Sequence, residues 1–236
     1  MTSEVNLISV THPNEEYTGC KTAQELIGWC ARVSNPANQQ KHGTAPKLIQ
    51  SLLRDKHWSP LEMVDVSVEI KTTRDIARQI LRHRSFSFQE YSQRYADPTK
   101  DLGFVTREAR LQDKKNRQAS IELTSDEDGV AGEWKAMQEQ VLDATRVAYK
   151  WAIDNGIAKE QARAVLPEGL TESVIIMKGS VRSWVHYCDL RMKWDTQKEH
   201  RIVAEQCWEI IESQFPDIKI ALDNIKEWEE FQKKLP

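Results

Sequence analysis

An alternating stretch between residues 64 and 70 constrains the fold more than any other part of the sequence. Asp65, Ser67 and Glu69 separate the apolar residues, which are Val64, Val66, Val68 and Ile70. Since successive side chains of a strand point to opposite faces of a sheet, this period of two predicts a strand with one apolar and one polar face. The segment from Thr72 to Asp75 then has the form of a helix start, and an apolar stripe follows it: Ile76, Ala77, Ile80 and Leu81.

Cap, turn and periodicity signals divide the remaining chain into strands and helices. Residues 5–10 and 171–177 are rich in β-formers and predict strands. Thr22 and Glu25 have the spacing of a capping box at a helix start. The same kinds of signal predict helices after Thr44 and Ser180 and over residues 133–154, 158–165, 196–213 and 218–231, a loop over residues 57–62 and an extended segment within residues 85–95.

The chain of 236 residues is long enough for one large domain or two small ones, and we predict a single domain over residues 1–236. Residues 111–133 are polar and charged. We interpret them as a surface excursion rather than a domain boundary, because the apolar cores on either side look incomplete alone.

Composition narrows the classes of function. The formal charge of -3 gives no overall attraction to nucleic acid or to an anionic membrane, and no stretch approaches the roughly 20 apolar residues that span a bilayer. The N-terminus lacks the features of a signal peptide, which favours a cytoplasmic protein. The sequence contains neither a G-x-G-x-x-G nor a P-loop motif. The four cysteines are scattered, which indicates a reduced setting without a zinc ribbon: Cys20, Cys30, Cys188 and Cys207.

Two basic patches stand out against this slightly acidic background. The first basic patch is Arg82, His83, Arg84 and Arg94, with serines and glutamines between them. Arginine forks suit phosphate and carbonyl oxygens, and hydroxyls and amides add further donors, so this set favours a small anionic ligand. Arg74, Arg78 and Arg82 are spaced to share one helix face, where they repel one another unless anions or carboxylates lie among them. A basic surface turn with solvated arginines is the alternative.

The second basic patch is Arg182, His186 and Arg191. Arg182 and His186 are four residues apart, so they share one face of the helix predicted after Ser180, and Arg191 lies nearby. A half-buried histidine bonded to a backbone carbonyl is the alternative for His186.

The pattern R-H-R, seven residues, S, one residue, R resembles the signature of the flavin-dependent thymidylate synthases. It runs from Arg82 to Arg94. The stretch from His57 to Glu62 resembles the H-x-[ST]-P-x-E segment of that family, and the stretch from Arg163 to Pro167 resembles its R-x-x-L-P segment. Matches to its C-terminal segment are Arg182, His186, Leu190, Arg191, Gln197 and Glu199. Two departures are Met63 and Ser180, which stand where the family often carries His and Asn.

The resemblance implies an α+β fold with a central, mostly antiparallel sheet flanked by helices. It also implies reductive methylation of dUMP to dTMP, with methylenetetrahydrofolate as the carbon donor and NADPH reducing a bound FAD that supplies the hydride. The implied assembly is a homotetramer with shared active sites, which binds small molecules and neither nucleic acid nor a membrane.

The resemblance also implies roles for individual residues. Arg191 is the expected catalytic residue, a fixed cation that stabilises negative charge on the uracil ring. No metal ligands are expected. Expected contacts to dUMP come from Gln79, Arg82, Glu90, Tyr91, Ser92, Gln93, Arg94, Arg163 and Arg191. Expected contacts to FAD come from Ser59, Arg82, His83, Arg84, Glu90, Ser180, Arg182 and His186.

Ser92 has two interpretations. A serine nucleophile needs an adjacent base, but the neighbours of Ser92 in sequence include arginine, which cannot accept a proton near neutral pH. Phosphate binding is therefore favoured, and flavin chemistry removes the need for an enzymic nucleophile.

Two other functions remain open from sequence. An RNA or nucleotide binder could stack bases on aromatic residues between the arginines, which are Phe86, Phe88, Tyr91 and Tyr95. The acidic net charge and the lack of an RNP-type motif disfavour it. A structural α/β protein with a basic patch is the third option, and it would bind no flavin.

Overall fold

The computed structural model describes residues 3–123 and 129–233, with side-chain surroundings up to residue 226. The strands are β1 (Glu4–Val10), β2 (Asp65–Thr73), β3 (Ser87–Glu90), β4 (Arg110–Gln112), β5 (Ser120–Glu122) and β6 (Glu172–Ser180). The centre of the fold is a four-stranded antiparallel sheet in the order β1-β2-β6-β3, and β4 and β5 form a separate hairpin. The predicted α+β fold with a mostly antiparallel central sheet is confirmed.

Helices follow the predicted order, with additional short turns between them. The bounds are α1 (Glu15–Thr18), α2 (Ala23–Ala31), α3 (Pro36–Gln39), α4 (Ala45–Arg54), α5 (Arg74–Ile80), α6 (Pro98–Asp101), α7 (Val130–Asp154), α8 (Lys159–Ala162), α9 (Val181–Arg191), α10 (Lys198–Gln214) and α11 (Pro216–Lys233). The capping box at the start of α2 is present, because Thr22 accepts from the backbone of Glu25 and Glu25 accepts from the backbone of Thr22. The residues predicted as a loop at 57–62 instead include a 3₁₀ helix over Ser59–Met63.

The alternating stretch forms the centre of the sheet. Val66, Val68 and Ile70 of β2 are buried, and Met177 and Ile175 of β6 stand directly opposite the last two. Helices cover this apolar face and contribute side chains to the same core, including α2, α4, α5, α9, α10 and α11. The antiparallel sheet therefore has one face packed on the core, as its period of two predicts.

A close packing contact fixes the segment that joins α5 to β3. A Cβ added to Gly179 of β6 would lie 2.4 Å from a ring carbon of Phe86. The Phe86 ring packs edge-on against Trp184 and Tyr187 of α9. The first basic patch is thus held against α9, which carries the second.

Helix α5 is shorter than the arginine spacing suggested. Arg82 and His83 donate backbone hydrogen bonds to residues three positions earlier, Gln79 and Ile80, which tightens the end of the helix. Arg82 therefore lies beyond α5 and does not continue the helical row of Arg74 and Arg78.

Helix α7 carries an apolar face that is exposed in the single chain. Trp151 is 61% exposed and Val147 is 72% exposed, and Trp134, Met137 and Val141 are also exposed. Leu142 and Tyr149 are the apolar residues of α7 that are buried most deeply, on another side of the helix. Such a contiguous apolar surface is typical of an interaction site.

The polar excursion contains structure of its own. Its first part is the hairpin of β4 and β5, which is tied to α10 by ion pairs of Arg110 with Glu199 and of Glu122 with Lys198. Residues 124–128 of the excursion lie outside the described residues. Its interpretation as part of a single domain stays a prediction. None of the described helices is both long and apolar enough to pass through a membrane.

Candidate functional site

The two basic patches meet at a hydrogen bond between Arg191 and His83. The Nε–H of Arg191, at the end of α9, donates to Nε2 of His83 over 2.9 Å. The bond joins residues 108 positions apart in sequence. The two basic patches therefore meet at this pair within one chain.

This hydrogen bond defines the chemical state of His83. Because Nε2 accepts, it carries no proton, and the ring proton of neutral His83 lies on Nδ1. Burial, together with the charge of Arg191, lowers the pKa of His83 to about 4, so the ring is neutral near pH 7. In the described part of the chain, Nε is the only side-chain nitrogen of Arg191 with a hydrogen-bond partner, so the terminal N–H groups can point to a ligand.

A buried polar network lies behind His83 and Arg191. His200 is 0% exposed and is placed between Gln79 and the hydroxyl group of Tyr187. Gln79 donates to Gln197, which donates to Glu199. Burial, followed by the charges of Arg191 and His83, lowers the pKa of His200 to about 3, so this imidazole is neutral as well.

Sequence reasoning assigned no role to several members of this network. Tyr187, His200 and Arg110 were absent from the candidate list, and Gln197 and Glu199 appeared only as motif matches. Gln197 and His200 are three residues apart at the start of α10, which places them side by side on a helix. That spacing, together with the motif matches of Gln197 and Glu199, was the signal that the sequence offered.

A second cluster joins Arg94 to Arg163 through Glu160. The Arg94 guanidinium lies 3.1 Å from the Glu160 carboxylate, and Arg163 donates through Nε to the Glu160 carbonyl over 3.2 Å. Both arginines are exposed, and Ser92 lies beside them, accepting from the Arg94 backbone. Gln93 differs from its neighbours because it is only 4% exposed, and its side-chain N–H₂ group has no partner in the described residues.

Glu90 neutralises the arginine row of α5. Its carboxylate lies 3.4 Å from Arg74 and 3.9 Å from Arg78, and Ser173 donates to it over 3.2 Å. The sequence argument that these arginines need an anion between them is therefore satisfied by a carboxylate of the chain itself. Tyr91, the next residue, donates its hydroxyl proton to Asp101 over 2.7 Å, and burial and this bond raise the pKa of Tyr91.

Two of the expected flavin residues, Ser180 and Arg182, form a third cluster with Glu62 at the start of α9. Glu62 accepts from Ser180 over 2.6 Å and from Arg182 over 2.8 Å. Ser180, which stands where Asn is common, also caps α9 by accepting from the backbone of Ser183. The 3₁₀ helix that carries Glu62 begins at Ser59, whose side chain is exposed.

His186 lies one turn further along α9, where its ring contacts that of Trp58 at a centroid distance of 4.4 Å. Burial, followed by the charge of Arg182, lowers the pKa of His186. The His186 and Trp58 rings border a cavity of about 540 Å³. The remaining candidates, Arg82 and Arg84, are exposed.

Among the described residues, no hydrogen bond or ion pair links Arg191 to the Arg94–Arg163 cluster. The structure therefore brings together Gln79, His83 and Arg191 in one group, Ser92, Arg94 and Arg163 in another, and Ser180 and Arg182 around Glu62 in a third. These clusters of arginines, amides and neutral imidazoles on an antiparallel α+β fold are typical of a protein that binds nucleotide-like anions.

Comparisons with known proteins identify the family. Residues 16–217 match the family model described as thymidylate synthase complementing protein. A probable flavin-dependent thymidylate synthase of Paramecium bursaria Chlorella virus 1 is 46% identical over 217 residues, 92% of this chain and 97% of the viral protein. A flavin-dependent thymidylate synthase of Synechocystis sp. is 45% identical over 222 residues, covering 93% and 99% of the two chains.

Solved structures show the same fold. The chain resembles a UMP/dUMP methylase, PolB from Streptomyces cacaoi, crystallised with 5-Br UMP, with a TM-score of 0.77, 24% identity and 95% coverage of both chains. The chain belongs to the flavin-dependent thymidylate synthase family of enzymes.

Proposed function

We propose that the chain catalyses the reductive methylation of dUMP to dTMP, with methylenetetrahydrofolate as carbon donor, NADPH as reductant and FAD as cofactor. The observation that carries this proposal is the meeting of Arg191 with His83 in a chain whose relatives are named flavin-dependent thymidylate synthases. This contact leaves the oriented guanidinium of Arg191, with free N–H donors, beside the neutral imidazole of His83.

The donor set fits a flavin dinucleotide. Arg182 and the exposed Arg84 offer cationic donors for a pyrophosphate, and the rings of Trp58 and His186 border a cavity suited to a flat aromatic group. Further polar groups come from Ser59, Ser180 and Arg82, which lie close in sequence to the residues just named. When bound, FAD reduced by NADPH supplies the hydride that completes the methyl group.

Arg191 is the proposed catalytic residue. Activation of uracil at C5 builds negative charge on the ring carbonyls and N3, and a fixed cation beside the ring stabilises that charge. The hydrogen bond to His83 holds the guanidinium without neutralising it, because His83 is uncharged near pH 7. A carboxylate in the place of His83 would instead reduce the field available to the uracil ring.

The Arg94–Arg163 cluster is the proposed phosphate cradle for dUMP. Glu160 holds these two arginines close together, and their exposed guanidinium groups can donate to the oxygens of an incoming phosphate. Ser92 and the unpartnered amide of Gln93 add donors. Arg82 supplies a further charge, and Gln79, Glu90 and Tyr91 are assigned to the sugar or base.

Ser92 is proposed to bind phosphate rather than to act as a nucleophile. In the described residues, its recorded hydrogen bond comes from the backbone N–H of Arg94, at 3.4 Å, and no imidazole or carboxylate is bonded to its hydroxyl. A serine nucleophile needs such a base within hydrogen-bond reach.

We further propose a cytoplasmic homotetramer with shared active sites, which binds neither nucleic acid nor a membrane. The exposed apolar face of α7, which includes Trp134, Val147 and Trp151, supports an interface between subunits. The formal charge of -3 supports small anionic ligands over a polyanion.

An absorbance spectrum of the purified protein tests the proposal. We expect a yellow protein with a flavin spectrum that NADPH bleaches, formation of dTMP when dUMP and methylenetetrahydrofolate are added, and elution near four times the 27.3 kDa chain mass. A colourless, well-folded monomer that makes no dTMP would contradict it. Binding to single-stranded RNA that falls steeply with salt would favour the polyanion binder instead.

A further inference from the structure

A continuous chain of hydrogen bonds runs behind Arg191. The group at one end of this chain can only accept hydrogen bonds. This polar chain consists of Tyr187, His200, Gln79, Gln197 and Glu199, in that order. Glu199 is also paired with Arg110 of the β4–β5 hairpin. Nothing in the motif or in the comparisons assigns a role to this arrangement.

Glu199 determines which group donates and which accepts in each hydrogen bond of the polar chain. Burial acts to raise the pKa of Glu199, but hydrogen bonds from Arg110, the backbone and Gln197 outweigh it, so the pKa is lowered and the carboxylate is ionised. An ionised carboxylate can only accept. Gln197 must therefore present its N–H₂ group to Glu199, at 3.0 Å, and its carbonyl oxygen accepts from the N–H₂ group of Gln79, at 2.8 Å.

The same logic determines the tautomer of His200. With its nitrogen committed to Gln197, Gln79 turns its carbonyl oxygen to Nδ1 of His200, at 3.2 Å, and Nδ1 must carry the proton. Nε2 is then bare and accepts from the Tyr187 hydroxyl at 3.1 Å. Burial raises the pKa of Tyr187, which keeps this donor protonated. Because His200 is fully buried, bulk water does not replace either bond.

We propose that Glu199 and Gln197 are positioning residues, which act through this polar chain to hold Gln79 as a fixed hydrogen-bond donor to the pyrimidine nucleotide. The inference rests on the proposed function only in its statement that Gln79 touches dUMP. An amide nitrogen has two N–H groups, and Gln197 occupies one of them. The second N–H of Gln79 remains for an acceptor on the ligand.

The orientation matters because an amide exchanges a donor for an acceptor when it flips. A uracil nucleotide offers carbonyl and sugar oxygens as acceptors at its edges. A flipped Gln79 would present oxygen where the unflipped side chain presents N–H, and two acceptors facing each other lose the bond and repel. The carboxylate of Glu199 thus sets the polarity of a contact that it does not itself make.

The substitution Glu199→Gln reverses the polarity with little change in shape. Arg110 can only donate hydrogen bonds, so it continues to bind the oxygen of the substituted side chain. The amide N–H₂ group introduced by the substitution then faces Gln197. Every bond in the polar chain then reverses, and the His200 proton moves from Nδ1 to Nε2. Glu205→Gln is the matched control, because Glu205 lies on the same helix, is paired with Arg201 and is outside the polar chain.

The direct measurement is magic-angle-spinning ¹⁵N NMR of protein labelled at its six histidines. A bare ring nitrogen resonates well downfield of a protonated one, so the spectrum identifies each tautomer. We expect His200 protonated at Nδ1 in the unsubstituted protein and in Glu205→Gln, and at Nε2 in Glu199→Gln. An Nε2–H tautomer in the unsubstituted protein, or no change in Glu199→Gln, would overturn the polar chain. The tautomer of His200 in the unsubstituted protein tests the polar chain even if Glu199→Gln fails to fold.

Calorimetric titration with dUMP on the flavin-loaded protein measures the positioning role. We expect the Kd for dUMP to rise roughly tenfold in Glu199→Gln, the loss of about one hydrogen bond, and to stay unchanged in Glu205→Gln. A reversed tautomer with unchanged dUMP affinity would refute the positioning role. If the unsubstituted protein binds no dUMP, the proposed function fails, whereas the tautomer measurement still decides whether the polar chain exists.

Discussion

Lowering the pH should destabilise this protein through His200. Burial, with the charges of Arg191 and His83, lowers the pKa of His200 to about 3 in the folded chain, whereas an unfolded histidine titrates near a pKa of about 6.5. Between these two values the unfolded state binds more protons than the folded state. The stability that neutral His200 contributes is therefore fully present above about pH 6.5 and is lost as the pH falls toward 3.

The size of the effect follows from the depth of burial. His200 is 0% exposed, so solvent does not screen it. Each pH unit within the window costs about 1.4 kcal/mol of the free energy of unfolding, which gives roughly 2 kcal/mol between pH 6.5 and pH 5. The pKa of half-buried His83 is also lowered, to about 4, and it acts in the same direction with a smaller, screened contribution.

Urea unfolding at pH 7 and pH 5 measures this contribution in the unsubstituted protein and in His200→Gln, at equal protein concentration. Glutamine retains an amide that can hydrogen-bond but does not titrate in this range. We expect the unsubstituted protein to lose about 2 kcal/mol more than the variant on acidification. His12→Gln, at an exposed histidine, is the control and should follow the unsubstituted protein. Equal losses in the unsubstituted protein and His200→Gln would refute the argument.

Three further substitutions test the site and the fold. Arg191→Lys keeps the charge but lacks the fork that bonds His83 and a ligand together, so we expect kcat to fall about 100-fold, and an unchanged kcat would contradict its catalytic role. Ser92→Ala should raise the KM for dUMP by roughly tenfold without abolishing turnover, whereas complete loss of activity with dUMP affinity retained would favour a nucleophile. Gly179→Ala places a methyl group 2.4 Å from the Phe86 ring and should lower the free energy of unfolding by about 1–3 kcal/mol in a urea titration. Gly43→Ala, where nothing lies within 4 Å, is its control, and equal stability of the two variants would show that the contact relaxes freely.

Local signals in the sequence predicted the elements of the fold well. The period of two identified β2, and Thr22 with Glu25 identified the start of α2, because both depend on residues within a few positions of one another. The end of α5 was harder to predict. The chain after Ile80 makes tighter backbone bonds and leads to Phe86, which packs against Gly179 and α9, and no local pattern contains that packing.

The sequence likewise predicted only part of the candidate site. Motif spacing named Arg191 and His83, but their hydrogen bond spans 108 positions, and the bonds that Gln79 makes span 118 and 121. Sequence also indicated that the arginines of α5 required an anion, and the structure supplies Glu90 from the neighbouring strand instead of a ligand. Burial of His200 beside Tyr187 follows from tertiary packing alone.

The central claim is that Arg191, held by His83, lies against the uracil ring of dUMP beside a bound flavin. A crystal structure of the assembled protein with FAD and dUMP tests it most directly. We expect a terminal nitrogen of Arg191 within about 3.2 Å of a uracil carbonyl or N3, with the phosphate on Arg94 and Arg163 of the same or a neighbouring subunit. A uracil ring bound far from Arg191, or a phosphate held elsewhere, would contradict the account.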